Sequence, residues 1–263
     1  MHRRTAIVAG VVAPTLLLSG LWALPGNTPS STAHALSRKA TPTASPPPPT
    51  PSPTQPGQTT TVSRTGTGPF GTQRTTGTKG VALTFDDGPD PVWTPKLLDQ
   101  LRASNVKATF CVVGTEVRRH PALVARMVRE GHTLCNHSWH HELNLGKLSP
   151  AHIQANLIRT NREIHRAAPG TKISYYRQPG GKWTTAVVKV ARELGMTPLG
   201  WDVDPHDWAK PGAETIRKRV ISQARAGSIV LLHDGGGDRR GTLAVCPKLV
   251  ATLRQKHGIT LLR

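Results

Sequence analysis

The feature that most constrains this chain is the alternation of short apolar segments with amphipathic ones between residues 80 and 263. Seven short segments have the length and composition of buried strands: residues 81–85, 108–113, 133–136, 174–176, 197–203, 228–232 and 259–262. Between them, apolar residues recur at helical spacing, and Thr94, Pro121 and Ser149 mark predicted helix starts. Strands that alternate with helices form a parallel sheet. The sequence therefore predicts an α/β domain, either a barrel one strand short of the usual eight or an open doubly wound sheet.

The N-terminal residues have the pattern of an export signal. A basic start at residues 1–4 precedes an apolar run over residues 6–24, and Ala33 and Ala35 offer a small-residue cleavage site. We therefore expect residues 1–35 to be a signal peptide. An uncleaved N-terminal membrane anchor is the alternative, because the apolar run is just long enough to span a bilayer.

Residues 36–79 are predicted to be a disordered linker. Of the 21 residues from Thr41 to Thr61, 17 are Pro, Thr or Ser, and apolar periodicity is absent. Such a segment cannot bury enough apolar surface to offset the entropy of ordering, and Pro-rich chains behave as extended spacers. The folded domain is therefore predicted to span residues 80–263.

The chain is strongly basic, with 34 Lys and Arg against 15 Asp and Glu and a net charge of +19. Residues 80–263 hold 27 of the basic residues and all 15 acidic ones, a net charge of +12. This charge favours a polyanionic neighbour, and the export signal favours an anionic cell-wall polymer over nucleic acid. We expect a secreted, monomeric protein associated with the cell wall, with membrane contact only through an uncleaved N-terminal segment.

Polar clusters follow five of the predicted strands at the point where each strand ends. They are Asp86-Asp87, His137 to His141, Arg177 to Pro179, Asp204 with Asp207, and His233-Asp234. The carboxyl ends of parallel strands lie at one edge of the sheet, where α/β barrels carry their active sites. The sequence therefore predicts a single site built from these clusters.

Asp87, His137 and His141 supply one oxygen and two imidazole nitrogens, which is the ligand set of a catalytic zinc with an open position. The two histidines face the same way if a helical turn begins at the first of them. The alternative is an ordinary polar loop, since Asp-Gly pairs are common in turns.

The other polar residues allow both a catalytic and a structural interpretation. Asp86 lies beside the metal ligand and is suited to act as a general base, with Arg177 keeping it ionised or serving as an ordinary surface cation. His233 ends an apolar run, so it is either a hydrogen-bonded core histidine or a general acid oriented by Asp207.

Five motifs in this order resemble those of the polysaccharide deacetylases, which form carbohydrate esterase family four and share the NodB-homology domain. The motifs are TFDDG at 84–88, HSWHH at 137–141, RQPGG at 177–181, DPHDW at 204–208 and IVLLHD at 229–234. The resemblance covers residues 80–263. It implies a distorted (β/α)7 barrel and a divalent metal ion, most often Zn²⁺.

The resemblance also implies roles for the residues that match the family's motifs. Asp87, His137 and His141 correspond to the metal ligands, and a water bound to the metal corresponds to the nucleophile. Asp86 is similar to the catalytic base, and Arg177 to the arginine that positions this base.

His233 is similar to the acid that protonates the leaving nitrogen, and Asp207 to the carboxylate that tunes it. Trp201 and Leu231 match the positions that wall the acetyl methyl group. The backbone N–H of Gly180 matches the donor that stabilises the oxyanion. The family often has an aromatic residue at the position of Gly180, so the shape of the substrate groove is expected to differ here.

The predicted function is that of a secreted, metal-dependent deacetylase that hydrolyses N-acetyl groups of an aminosugar polymer such as peptidoglycan or a chitin-like chain. One alternative is an O-acetyl xylan esterase of the same family, and another is a catalytically idle cell-wall-binding module. The sequence leaves open whether Cys111 and Cys135 form a disulfide or remain buried thiols, and it predicts that Cys246 is buried in the last helix.

Overall fold

Six parallel strands form the sheet of residues 67–263, the part of the chain that the computed structural model describes. The strands are β1 (Ala82–Asp86), β2 (Thr109–Val112), β3 (Thr133–Asn136), β4 (Ile173–Tyr176), β5 (Thr197–Pro198) and β6 (Ile229–His233). Their spatial order is β5-β4-β3-β2-β1-β6. The predicted signal peptide and residues 36–66 of the predicted linker lie outside the described residues.

The sheet curls into an incomplete barrel, because the chain beyond β5 reaches β6. Leu199 N–H donates to the Tyr176 carbonyl at the end of β4. Four residues later, Val203 pairs with Val230 of β6, so one segment contacts both edges of the sheet. The predicted distorted β/α barrel is confirmed, and the open doubly wound alternative is wrong. The predicted seventh strand is reduced to a single parallel bridge between Ile259 and Val81.

Seven helices surround the curled sheet in residues 67–263. They are α1 (Thr94–Ala103), α2 (Gly114–Arg119), α3 (Pro121–Arg129), α4 (Pro150–Ala167), α5 (Thr185–Glu193), α6 (Ala213–Gln223) and α7 (Arg240–His257). The Ser149 hydroxyl accepts from the His152 N–H and caps α4, as predicted. The sequence did not predict α2, whose six residues contain a single large apolar side chain, Val117. None of the helices in the described residues is both long and apolar enough to span a membrane.

Residues 67–79 belong to the folded domain, which corrects the predicted end of the linker. Thr72 is fully buried. Gln73 N–H donates to the Pro198 carbonyl, and Gln73 accepts in turn from the Gly200 N–H. Backbone hydrogen bonds, and not a periodic apolar face, hold this segment against the sheet. Its composition therefore resembles that of the linker, and the sequence pattern did not distinguish the two.

The apolar core lies on both faces of the sheet. Between the sheet and the helices, Phe85 and Phe110 stack with ring centroids 5.5 Å apart. A smaller cluster inside the curl contains Cys111 and Cys135, which are register neighbours on β2 and β3 and form a disulfide with Cα atoms 4.2 Å apart. Cys246 is buried in α7, as predicted.

Candidate active site

The polar residues of four strand ends meet at one edge of the barrel. Asp86 is the last residue of β1, and its register partner on β6 is His233. His137 follows β3 directly, and Arg177 follows β4 directly. Because all these strands are parallel, their carboxyl ends bring the four side chains to the same opening.

Asp87, His137 and His141 converge with the geometry of a metal site. The Asp87 Oδ1 atom lies 3.4 Å from His137 Nε2 and 3.3 Å from His141 Nε2. One ligand atom from each residue lies within 4.8 Å of the other two. Three donors at this spacing leave room for one ion between them.

The donor chemistry of these residues fits a divalent cation. His137 Nδ1 lies 2.8 Å from the Arg177 carbonyl and donates to it, which fixes the ring so that Nε2 faces Asp87. The Asp87 Oδ1 atom is buried and has no hydrogen-bond partner among the described residues. His137 Nε2 and Asp87 Oδ1, 3.4 Å apart, are both atoms that can coordinate a divalent cation.

The loop from His137 to His141 forms no helical turn, so helical spacing is not what brings the two histidines together. Ser138 and His141 adopt positive φ angles of 66° and 60°, and these left-handed residues turn the chain so that His141 approaches Asp87. Asn136 anchors the loop, because its Oδ1 accepts from the Ser138 N–H. Asp87 itself has a φ of 74°. Such backbone geometry is unfavourable for residues other than glycine, and three of the seven non-glycine residues that adopt it in residues 67–263 are these.

The electrostatic environment keeps the ligands in the forms that bind metals. Burial raises the pKa of Asp87, but the close approach of His137 and the positive charges that His137, His233 and His141 carry when protonated outweigh it and lower the pKa to about 2. Burial, followed by the charge of His137, lowers the pKa of His141. An ionised carboxylate and a neutral imidazole are therefore favoured at neutral pH.

Asp86 and Arg177 form a buried ion pair next to the metal triad. Arg177 Nη1 donates to Asp86 Oδ1 at 2.7 Å, and both side chains are almost fully buried. Arg177 also donates to the Thr84 hydroxyl and to the carbonyl oxygens of Leu199 and Gly200. The other Asp86 oxygen lies 3.6 Å from His137 Nε2. One carboxylate oxygen is thus held by the arginine while the second faces the metal site.

Asp207 orients His233 on the opposite side of the site. His233 Nδ1 lies 2.7 Å from Asp207 Oδ1, and the His233 backbone N–H donates to Oδ2 at 2.9 Å. Burial lowers the pKa of His233, but the hydrogen bond and charge of Asp207 and the charges of Asp87 and Asp86 raise it to about 9. The imidazole is therefore protonated at neutral pH, with Nε2–H as its remaining donor.

Sequence reasoning missed the residues that support these groups from behind. The Thr242 hydroxyl donates to Asp207 Oδ2 at 2.7 Å from the first turn of α7. Thr94 does not cap α1 with its side chain; its hydroxyl donates to Asp234, which is fully buried. Burial raises the pKa of Asp234 to about 7. A Cβ atom on Gly88 would lie 2.3 Å from Asp234 Oδ2, so this position requires glycine. Of these supporting residues, only Asp234 had a signal in the sequence, namely its position at the end of a predicted strand.

The remaining predicted residues lie around the opening. Leu231 is buried on β6, on the same face as His233 two residues later. Gly180 lies in a 3-10 turn after β4, and Trp201 is half-buried with its indole against Gly181. Arg177 Cζ lies 5.5 Å from the Trp201 ring centroid, so this indole borders the ion pair.

Comparison with known proteins identifies relatives of this arrangement. A family model described as polysaccharide deacetylase matches residues 73–199. A chitooligosaccharide deacetylase from Bradyrhizobium is 43% identical over 60% of this chain and 72% of its own length. A peptidoglycan-N-acetylglucosamine deacetylase from Bacillus cereus is 39% identical over 68% of this chain and 83% of its own length. A solved pseudoenzyme of family CE4 from Bacillus anthracis superposes with a TM-score of 0.63 at 29% identity, covering 68% of this chain and 61% of that chain.

Proposed function

The chain belongs to the polysaccharide deacetylase family, and from this membership we propose that it is a metal-dependent hydrolase of N-acetyl groups on an aminosugar polymer, peptidoglycan or a chitin-like chain. The observation that supports this proposal is the convergence of the Asp87, His137 and His141 ligand atoms beside a buried carboxylate and a protonated imidazole. The named activities of the two bacterial relatives support the aminosugar substrate.

We propose Zn²⁺ as the metal that Asp87, His137 and His141 hold. One carboxylate oxygen and two imidazole nitrogens are a ligand set typical of catalytic zinc, which leaves positions open to substrate and solvent. When bound, the ion supplies Lewis-acid chemistry that activates water and polarises the amide carbonyl.

Asp86 and His233 then perform the two proton transfers of amide hydrolysis. Asp86 accepts a proton from the attacking water with the oxygen that Arg177 leaves free. The water oxygen bonds to the acetyl carbon, and His233 Nε2–H donates its proton to the amide nitrogen as the C–N bond breaks. The products are acetate and a free amino sugar. Asp207 holds the imidazole in the orientation and protonation state that this donation needs.

We propose that Gly180, Trp201 and Leu231 complete the acyl site. The Gly180 N–H is the proposed donor to the oxyanion of the tetrahedral intermediate. The apolar side chains of Trp201 and Leu231 are the proposed walls around the acetyl methyl group. The position of Leu231 two residues before His233 on one strand face supports this role.

We further propose that the enzyme acts outside the cytoplasm at the cell wall. The basic start and apolar run of residues 1–24 support export. The net charge of +12 in residues 80–263 suits association with anionic wall polymers, and added salt should weaken such association.

Two alternatives predict different outcomes for the same assay. An O-acetyl esterase would release acetate from acetylated xylan in preference to N-acetylated glycans. An idle wall-binding module would bind glycans without releasing acetate, as the similarity to a pseudoenzyme makes worth testing. The presence of Asp86, His233 and the three ligand residues favours an active enzyme.

The decisive experiment measures acetate release from N-acetylated chitopentaose, peptidoglycan fragments and acetylated xylan. We expect release from the N-acetylated glycans, loss of activity after removal of the metal with a chelator, and recovery on addition of Zn²⁺. Activity that survives thorough metal removal would refute the metal-dependent mechanism.

Adjacent histidines provide a matched pair of variants for the ligand assignment. His141→Ala removes one ligand atom of the triad, so zinc affinity and acetate release should both fall steeply. His140→Ala changes the exposed neighbour, which is not part of the triad, and should retain zinc. Equal zinc loss in the two variants would contradict the assignment.

A further inference from the structure

A cleft of about 280 Å³ opens beside the active site on the side of the 3-10 turn that contains Gly180. Its lining is two tryptophans, one arginine, a proline, a threonine and three glycines: Pro69, Thr72, Arg74, Gly180, Gly181, Trp183, Gly200 and Trp201. The volume lies just below the range for small-molecule clefts, which begins at roughly 300 Å³. The space therefore suits one unit of a polymer and not a long segment of it.

The cleft shares a wall with the active site. The Trp201 indole lines the cleft, and its ring centroid lies 5.5 Å from Cζ of Arg177, the partner of Asp86. Gly180 lines the cleft and directly follows Pro179 at the end of the Arg177 motif. A glycan with one sugar at the catalytic residues would therefore extend into the cleft with a neighbouring sugar.

The cleft is open because two consecutive residues lack side chains. Gly180 and Gly181 have positive φ angles of 61° and 62°, a conformation that disfavours other residues. A Cβ atom on Gly181 would lie 2.7 Å from Cη2 of Trp201, and one on Gly180 would lie 2.9 Å from Cδ2 of Leu143. Side chains at these positions would displace the indole or fill the opening.

The aromatic lining suits a sugar ring. Trp183 and Trp201 are both half-buried, so part of each indole faces the cleft. An aromatic surface with few polar groups binds the apolar face of a ring while the polar groups fix its orientation.

Arg74 places a positive charge at the cleft, and its Nη atoms can donate hydrogen bonds to a ligand. Its Nε–H donates to the Trp201 carbonyl at 2.7 Å, which fixes the side chain against the cleft wall. Within residues 67–263, this is the only side-chain hydrogen bond of Arg74, and the Asp202 carboxylate, on which its charge acts, lies beyond salt-bridge distance. A guanidinium with free Nη donors matches the two oxygens of a carboxylate.

We propose that this cleft is a subsite for a sugar that carries a carboxylate, next to the N-acetyl sugar that is deacetylated. The inference rests on the proposed function and narrows its substrate class to acidic aminosugar polymers. Arg74 pairs with the carboxylate, Trp183 and Trp201 contact the ring, and the two glycines leave space for the substituent.

A matched pair of substrates tests the subsite in the zinc-loaded full chain. One is a tetrasaccharide of alternating N-acetylglucosamine and N-acetylmuramic acid with free lactyl carboxylates, and the other is its methyl ester. We expect kcat/KM for the acid to exceed that for the ester by at least about tenfold, because only the acid forms a charge-assisted pair with Arg74. A wild-type ratio near one would overturn the inference.

Arg74→Gln removes the charge of the guanidinium and keeps the hydrogen bond that the arginine Nε makes, so it tests the charge alone. The glutamine Nε2 occupies the position of the arginine Nε and retains a donor to the Trp201 carbonyl, while the charged end is removed. The ratio of acid to ester should fall to about one in this variant. Arg129→Gln removes an exposed arginine on α3 and the same net charge, and it should retain the wild-type ratio. An equal fall in both variants would assign the preference to overall charge and refute the subsite.

The outcomes also distinguish the subsite from the proposed function. Acetate release from both tetrasaccharides at equal efficiency would refute the subsite and leave the deacetylase intact. No release from these substrates or from chitopentaose would refute the deacetylase. In that case, titration of tryptophan fluorescence with the acid and the ester still measures the binding preference, and equal affinities would refute the subsite.

Discussion

The buried pair of Asp86 and Arg177 makes a sharp prediction for Asp86→Asn. Arg177 is fully buried, and its other partners are the neutral oxygens of Thr84, Leu199 and Gly200. Asp86 is the only carboxylate of residues 67–263 in a salt bridge with this guanidinium. The asparagine keeps an acceptor oxygen but removes the compensating charge. Breaking a buried pair from one side costs about 3–5 kcal/mol, so we expect the free energy of unfolding to fall by that amount.

The same substitution removes the proposed base. Loss of general base catalysis lowers the rate of acetate release by about 10² to 10⁴, while the three metal ligands stay in place and zinc should remain bound. The assays are urea unfolding, acetate release from chitopentaose, and zinc content after gel filtration. Near-ultraviolet circular dichroism at the assay temperature verifies that the variant is folded when its rate is measured.

Asp99→Asn is the matched control, because Asp99 pairs with Arg102 and Arg126 on the surface. An exposed pair contributes about 0–1 kcal/mol, and this residue lies outside the site, so stability should change little. Two results would refute the reasoning. An Asp86→Asn protein as stable as the control would show that the buried charge is compensated in another way. An Asp86→Asn protein that keeps most of its rate would remove Asp86 as the base.

Three further predictions concern ionisation and close packing. Asp207→Asn removes the carboxylate that raises the pKa of His233, so the alkaline decline of kcat/KM should move to lower pH by about two units. A decline that stays in place would show that this pair does not supply the acid. Burial lowers the pKa of His132 from 6.5 to about 4, so the unfolded chain binds this proton first and stability falls by about 3 kcal/mol as the pH drops through that interval. Urea unfolding from pH 7.5 to pH 4 should show this loss in the wild type and not in His132→Asn, and parallel curves would contradict it. Gly88→Ala forces a Cβ against the buried Asp234 carboxylate beside the metal ligands, so zinc affinity should fall about 10- to 100-fold in a chelator competition, and wild-type affinity would show that the contact relaxes freely.

The sequence was sufficient to predict the sheet and the edge at which the polar residues meet. Alternating strands and helices require parallel strands, and parallel strands place Asp86, His137, Arg177 and His233 at one end whatever the details of the loops. The predicted length of the fifth strand was wrong. Only Thr197–Pro198 pairs with β4 as a strand, and by Val203 the chain pairs with β6 instead. An apolar run predicts burial, but it does not determine how long a strand stays paired with one neighbour.

The loops and the supporting contacts were beyond the reach of sequence patterns. The spacing of His137 and His141 is compatible with a helical turn, whereas the chain in fact turns at Ser138, whose backbone is in the left-handed conformation. The contact of Thr242 with Asp207 joins residues 35 positions apart and depends on where α7 begins. Such contacts depend on the three-dimensional arrangement of whole elements, which local propensity and periodicity do not encode.

Two histidines of this site illustrate why residue type alone does not determine chemical role. His141 is half-exposed, and burial together with the charge of His137 lowers its pKa, so it offers a lone pair to a metal at neutral pH. His233 is more deeply buried, which alone would lower its pKa further, yet the carboxylate of Asp207 at 2.7 Å raises it to about 9. The same side chain thus suits the proposed neutral ligand at one position and the proposed proton donor at the other. Both imidazoles lie near carboxylates, but only His233 has the short hydrogen bond to a buried carboxylate, and this bond together with the charges of Asp207, Asp87 and Asp86 outweighs burial.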